Sequence, residues 1–563
     1  MTRVSIVVAS LLLGASQAVA ADLPEYGQPY PLAVWTWAGP YLGVHVGGGL
    51  GQSRFTDSNG PAVYGGDVRT PTALGGAQVG FNFQPSRNLV LGVEADISAV
   101  SSNGTNTCLA SSGYFLSANC RVRQNALGTV TGRVGLATGE AGRTLLYAKG
   151  GVAWLNQQID INTNPIDLST GTKNSQWGWT AGVGIERAVA PAWSVKVEYD
   201  YAGFNSFRMA TPGSYFQPFP PFALYGTTPP GSTSVSQNIQ TVKVGLNMKF
   251  GGDTDARWDD SENMYLRGSQ SVEDPSMRGD IEIGGRVWYS SGRFQKDLGA
   301  GTDPTQQNIL NSRLTYESPA ASGEVFGRVD GLADFFLKGF IGGGKLLSGK
   351  MNDEDWMPGY GVPYSNTVSD PVQGSIAYAT VDVGYAFIRG PGVNVGPFIG
   401  YNYYRENKSA YGCTQIANAT VAAPCVPAIP GSTLAITEDD TWHSLRVGLN
   451  GVVMLNDRLK LTGDAAYLPY VRFSGVDDHV LRNAYDTRSP ESGEGRGVQL
   501  ETILSYYVTP SFSVGAGARY WAMWATEDAK TNFFGTPCPC QTLPARTERY
   551  GGFLQAAYSF NTD

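Results

Sequence analysis

Residues 192–201 read AWSVKVEYDY, and this strict alternation limits the possible folds more than any other feature of the chain. Trp193, Val195, Val197 and Tyr199 share one face, while Ser194, Lys196, Glu198 and Asp200 share the other, because successive side chains of a β-strand point to opposite sides. Repeated along a chain, the pattern suits strands with hydrocarbon against one face and a polar interior against the other. Charged residues make up only 16% of the sequence, against about a quarter in ordinary soluble proteins. The mean hydropathy is nevertheless −0.17, too polar for a bundle of membrane helices. Beyond the first residues, no apolar run approaches the roughly 20 residues that a spanning helix needs. Such a chain crosses a bilayer as closed barrels, because in lipid only helices and closed barrels pair every backbone group.

The N-terminus has the grammar of export. Arg3, the apolar run Val4–Leu13 and the small-x-small triplet Ala18-Val19-Ala20 predict a signal peptide over 1–20 and a mature chain from Ala21. Export permits disulfides. Six cysteines fall in three close pairs: Cys108 with Cys120, Cys413 with Cys425, and Cys538 with Cys540. The first two are candidates to staple loops, though spacing alone does not fix connectivity. With three histidines in all and none at zinc-site spacing, no metal or other cofactor is expected. The net charge of −8 speaks against nucleic acid as a partner.

At 563 residues the chain is long for one domain, and the alternation falls into two series. The first has eight segments, roughly 40–55, 74–83, 88–101, 124–138, 142–160, 175–188, 192–207 and 234–250. Tight connections alternate with long ones (about 56–73, 102–123, 161–174 and 208–233), as short periplasmic turns alternate with long external loops in outer-membrane barrels. Residues 251–278 are polar, acidic and without alternation, and read as a linker. An even-stranded barrel returns its chain to the side where it began, so this linker is expected in the periplasm. The second series has ten segments, about 280–292, 311–330, 333–350, 376–389, 392–407, 440–455, 458–474, 496–508, 511–526 and 546–560.

The predicted fold is all-β: two tandem transmembrane antiparallel up-and-down β-barrels, eight-stranded over 35–250 and ten-stranded over 279–563. A single barrel of 18 strands is the formal alternative. The linker and the aromatic strand end at Phe250 argue against it.

The second series carries chemistry in its long loops. In Met351-Asn352-Asp353-Glu354-Asp355-Trp356, strand geometry puts Asp353 and Asp355 on one face. In Gly475-Val476-Asp477-Asp478-His479 it does the same for Asp477 and His479. A carboxylate beside an imidazole can orient it as a base, and two close carboxylates resist joint ionisation. The plain alternative is solvated charge. A third reading has Asp353, Glu354 and Asp355 as oxygen ligands for Ca²⁺. His45 and His443 lie in or beside strands, where a barrel-wall role is expected.

Two resemblances follow. WTWAGPYLGVHVGGGLG, LLYAKGGVAW, GWTAGVGIERAVAPAWSVKVEYDY and VKVGLNMKF, in that order, resemble the small eight-stranded outer-membrane barrels of α-proteobacteria. That family implies a structural barrel whose last strand ends in an aromatic residue read by the barrel-assembly machinery. Phe250 holds that place, and AAYSF ending at Phe560 repeats it. The ten-strand series with MNDEDW and Asp-x-His resembles the omptin family of outer-membrane proteases. That resemblance implies a surface endopeptidase in which Asp477 and His479 activate water opposite Asp353 and Asp355, acting on peptide or protein at the cell surface. It also implies lipopolysaccharide on the outer wall as a requirement for activity. GYNYYR offers Tyr401 and Arg405 for this site, with Tyr403 where the family has an acid. The acidic pocket groups of the family are not matched: Gly475 stands two residues before Asp477, and Asp303 is the only acid within GAGTDPTQQN.

The expected location is the bacterial outer membrane, long loops outside. The rival function is a non-enzymatic adhesin, receptor or structural protein on the same barrels. A small-solute porin is disfavoured, because eight or ten strands leave little aqueous channel.

Overall fold

The computed structural model describes residues 35–560 except 58–59, 62–64, 109–117, 163–168, 212–213, 217–225, 229–230, 251–280, 300–309, 332–333, 357–362, 391, 417–423, 483–486 and 532–540. The expected signal peptide, the 251–278 linker, Asp303 and the Cys538–Cys540 pair lie outside the described residues. No helix among them is long and apolar enough to cross a membrane.

The described residues form two rings of antiparallel strands. The first consists of Gly39–Asp57, Val68–Phe83, Leu89–Ser102, Ala118–Thr138, Thr144–Asn162, Ser169–Ala190, Trp193–Thr211 and Gly231–Lys249. Each strand pairs with its neighbours in sequence, and Tyr41 pairs with both Gly80 and Lys249, so the last strand meets the first. The second ring starts at Ile281–Gly299 and ends at Ala545–Phe560. Ile281 pairs with both Val329 and Phe560.

Alternation decides what each face meets. In the first ring the inward residues are Glu94, Asp96, Arg133, Lys149, Lys196, Glu198, Asp200 and Lys243, all buried. They neutralise one another: Lys149 with Glu198 at 2.5 Å, Lys196 with Glu94 at 2.9 Å, Lys243 with Asp200 at 3.0 Å and Arg133 with Glu186 at 3.1 Å. Charges taken out of water are tolerated only with such partners. His45 sits among them, hydrogen-bonded to Gln78 at 2.5 Å and Ser98 at 2.8 Å. It belongs to the filled lumen.

The second lumen has the same logic with more aromatics. Arg519 bonds Glu324 at 2.7 Å and Glu501 at 2.5 Å. Its guanidinium lies within 4.9 Å of the Trp288 and Trp521 ring centres. Below this plug a cavity of about 130 Å³ is lined by Arg286, Lys338, Asp382, Arg446 and Asp464, among others.

Outward residues form an apolar belt that includes Val287, Ile341 and Leu554, each about two-thirds exposed. Tyr289, Tyr401, Tyr470 and Tyr550 ring one margin, and Phe335, Tyr385, Tyr506, Tyr558 and Phe560 the other. This is the aromatic girdling of a membrane-spanning barrel.

The strands are longer than their alternation predicts. The expected loop 351–375 contains two paired strands, Lys350–Trp356 and Pro363–Ser369. The expected loop 408–439 contains strand to Gln415 and again from Ile429. Beyond the bilayer the outer face meets water, so its apolar signal fades. Backbone groups still need partners there, and the hairpins supply them.

The two rings also touch along their outer faces. Ala73, Val242 and Val244 of the first cluster with Ala465, Val498, Leu500, Ala522 and Trp524 of the second. Val189 and Val195 cluster with Ile388, Val393, Val395 and Val453.

Candidate active site

Both predicted pairs rise on strands that run well past the aromatic margin. Asp477 lies seven residues beyond Tyr470 on the strand Leu459–Asp478, roughly 20 Å further along it. The site therefore stands clear of the membrane-spanning segments. Asp353 and Asp355 are on Lys350–Trp356, which pairs with Leu310–Asp330 on one side and Pro363–Ser369 on the other. The chemistry predicted for loops is thus built on strand extensions, whose pairing fixes the side-chain directions. Glu354 points away from its two neighbours by the same alternation. The three acids do not converge on one ion, which removes the Ca²⁺ reading.

His479 follows directly on the strand end and is held by its backbone, with N–H to Thr487 O at 3.2 Å. Its Nε2 is 3.1 Å from Asp477 Oδ2. Burial alone would lower the imidazole pKa, but Asp477 outweighs it and raises the value above 6.5. Asp477 is also fully buried, yet His479 and Lys296 hold its carboxyl well below the usual range.

Burial, then the neighbouring Asp355 charge, push Asp353 up to about 8. Asp355 is raised too, by burial, against a hydrogen bond from Ser312. His479 and Asp477 act electrostatically on Asp353 and Asp355 alike. The two pairs, carried by different hairpins, therefore lie within electrostatic reach of each other above the membrane margin.

Three further residues join Asp477. Lys296 Nζ lies 3.1 Å from Asp477 Oδ2 and 2.6 Å from Glu491 Oε1, and it also pairs with Glu438. Glu438, Asp477 and Glu491 offer oxygens within 4.8 Å of one another, and the lysine ammonium is their shared counter-ion. A signal for all three was present. Trp288, Ser290, Gly292 and Phe294 lead inward to Lys296 by alternation. Glu438 and Glu491 precede the expected strand starts at 440 and 496. Placing those boundaries at the end of the apolar pattern hid them.

Gly475, two residues before Asp477, sits in a tightly packed place. A Cβ there would lie 3.0 Å from Phe473 Cζ and 3.1 Å from Asp440 Oδ1.

Tyr401 and Arg405 face outward. Tyr401 hydrogen-bonds His443, and Arg405 bonds Asp439 with contacts at 2.8 and 2.5 Å. The four cysteines among the described residues form two disulfides, Cys108–Cys120 and Cys413–Cys425, with Cα separations of 5.8 and 5.6 Å.

Comparison with known proteins finds a different family in each half of the chain. Residues 6–250 match the family described as outer membrane protein beta-barrel domain, and residues 339–533 match the Omptin family. The 31 kDa outer-membrane immunogenic protein of Brucella melitensis is 28% identical over 259 residues, covering 44% of this chain and 99% of that protein. The 25 kDa outer-membrane immunogenic protein of Brucella canis is 27% identical over 254 residues, covering 44% of this chain and 96% of that protein. Among solved structures, the outer membrane protease OmpT of Escherichia coli is 16% identical, with TM-score 0.43, covering 50% of this chain and 98% of that one. The attachment invasion locus protein Ail of Yersinia pestis is 12% identical, with TM-score 0.20, covering 38% of this chain and 99% of that one.

Proposed function

We propose that this outer-membrane β-barrel protein, omptin-like in its C-terminal half, is a surface endopeptidase whose water is activated by Asp477 and His479 opposite Asp353 and Asp355. The observation that carries the reading is that these four side chains, on different hairpins, lie within electrostatic reach of one another above the membrane margin, as the two walls of one cleft would. The match of residues 339–533 to the Omptin family supports it.

In this reading a water molecule lies between the two pairs. His479, oriented by Asp477, accepts its proton as the oxygen bonds to the peptide carbonyl carbon. Asp353, which keeps a proton to about pH 8, donates a hydrogen bond to the developing oxyanion. The His479 proton then passes to the leaving amide nitrogen as the C–N bond breaks. Asp353 Oδ1 and Asp477 Oδ1 make no hydrogen bond to the described protein, and each can accept one from the water or the substrate.

The long hairpins face outward from the cell and the linker lies in the periplasm. Lipopolysaccharide is the assigned partner of the outer wall, with Tyr401 and Arg405 at the girdle. The barrel-assembly machinery reads the strand ends at Phe250 and Phe560. The N-terminal barrel is structural, its lumen closed by ion pairs.

The test is cleavage of a diverse peptide library by the refolded chain with lipopolysaccharide, beside Asp477→Ala and His479→Ala. Losses of roughly 10²–10⁴-fold are expected in both variants. Equal cleavage by wild type and variants, with folding confirmed by heat-modifiability, would leave the non-enzymatic surface protein as the reading.

A further inference from the structure

Glu354 separates the two catalytic aspartates and faces the opposite way, onto the outer wall above the membrane margin. A carboxylate there belongs in water, yet Glu354 is only 1% exposed. What covers it is the other barrel. The short strand Gly104–Cys108 pairs with the start of Ala118–Thr138, and the Cys108–Cys120 disulfide closes this hairpin. Thr105, Thr107 and Asn119 project from its outer side, because Cys108, Cys120 and Val122 fill its inner side.

Thr107 Oγ1 donates to Glu354 Oε2 at 2.9 Å and accepts from Arg313 Nη1 at 2.9 Å. Arg313 lies directly across the ladder from Glu354. Its guanidinium also donates to Thr105 Oγ1 at 3.1 Å, Asn119 Oδ1 at 2.8 Å and Asp297 Oδ1 at 2.7 Å. Every one of these groups is buried or half-buried, so water competes little for the bonds. The contact continues down the barrels into the bilayer through small and apolar residues. At Gly48 the side chain of Val498 packs against the bare backbone, and a Cβ there would lie 2.7 Å from Val498 Cγ2.

We propose that the N-terminal barrel is a positioning domain for the strand of the aspartate pair: the hairpin of Thr105, Thr107 and Asn119 grips Glu354 and Arg313 from behind, and so fixes the direction in which Asp353 and Asp355 face the cleft. The strand needs such a grip. Lys350–Trp356 has only seven residues and stands beyond the membrane-spanning part of the barrel. Hydrogen bonding along its edges fixes its register. A side-chain clamp on its outward residue fixes its tilt. The catalytic consequence rests on the endopeptidase reading, but the clamp itself does not.

The test uses the full chain in outer-membrane vesicles. Gly48→Cys with Val498→Cys should form a disulfide joining peptides of the two barrels, detected by mass spectrometry. Thr107→Val removes the relay hydroxyl at constant shape, and Gly48→Trp wedges the barrels apart far from the cleft. Both should speed hydrogen exchange over 350–356 and lower kcat roughly 10–100-fold, with KM little changed, as loss of orientation requires. Thr107→Ser should restore both. If wild type cleaves nothing while exchange over 350–356 still rises in the variants, the clamp stands and the endopeptidase reading falls. If the cross-link fails, or kcat and exchange match wild type in both variants, the clamp is overturned.

Discussion

Asp477 Oδ2 is contacted by His479 Nε2 and by the Lys296 ammonium, both at 3.1 Å. This arrangement sets a pH window. His479 must lose its proton to act as base, and its pKa is raised above 6.5. Activity should therefore climb with pH through a value above 6.5. Asp353 must keep its proton, and its pKa is about 8, so activity should fall as pH passes about 8. A bell-shaped profile of kcat/KM is expected, and a flat profile from pH 6 to 9 would remove these two groups from the reaction. Lys296→Met leaves Glu438, Asp477 and Glu491 together without their cation. The more negative surroundings then hold the His479 proton more tightly, and the rising limb should move to higher pH. The four aspartate and histidine positions were legible because Asp-x-Asp and Asp-x-His need only local alternation to share a face. The inward facing of Lys296 was legible in the same way, but its meeting with Glu438 and Glu491 was not, because that depends on three separate strands arriving in register.

Each strand of these barrels is a ruler of three environments: periplasmic margin, hydrocarbon and water above. The middle third follows its alternation closely, and there the expected and observed strands agree. Above the margin they part, as in the hairpin of Lys350–Trp356 and Pro363–Ser369. The reason is that lipid imposes the apolar half of the pattern while hydrogen bonding imposes the strand. Where lipid ends, only the second constraint persists, and it leaves little mark on composition. Leu554, about two-thirds exposed between Tyr550 and Tyr558, reports the hydrocarbon. Leu554→Arg should cost about 2–4 kcal/mol, as a cation does at the bilayer midplane. Unfolding in urea from lipid vesicles would measure it, and a cost near zero would place Leu554 outside the hydrocarbon.

At the scale of the molecule, two filled barrels stand side by side. The ion-paired lumen of the first and the Arg519 plug of the second both deny solutes a path, so planar bilayers containing the protein should give no steady single-channel steps. Steady steps would mean that the lumens open. The sequence by itself determined the division into an eight-strand and a ten-strand series, the inward or outward facing of each residue, and the spacing of the Asp–Asp and Asp–His pairs. All three follow from the two-residue period of a strand and are written in near neighbours. It did not determine which outward residues meet lipid and which meet protein. Val498, Leu500 and Ala522 face the first barrel while Val514, Tyr506 and Leu554 are exposed, yet all obey one alternation. An apolar side chain is buried as well by hydrocarbon as by another barrel, so only the tertiary structure decided between them, and in doing so set Thr107 against the back of the strand that carries Asp353 and Asp355.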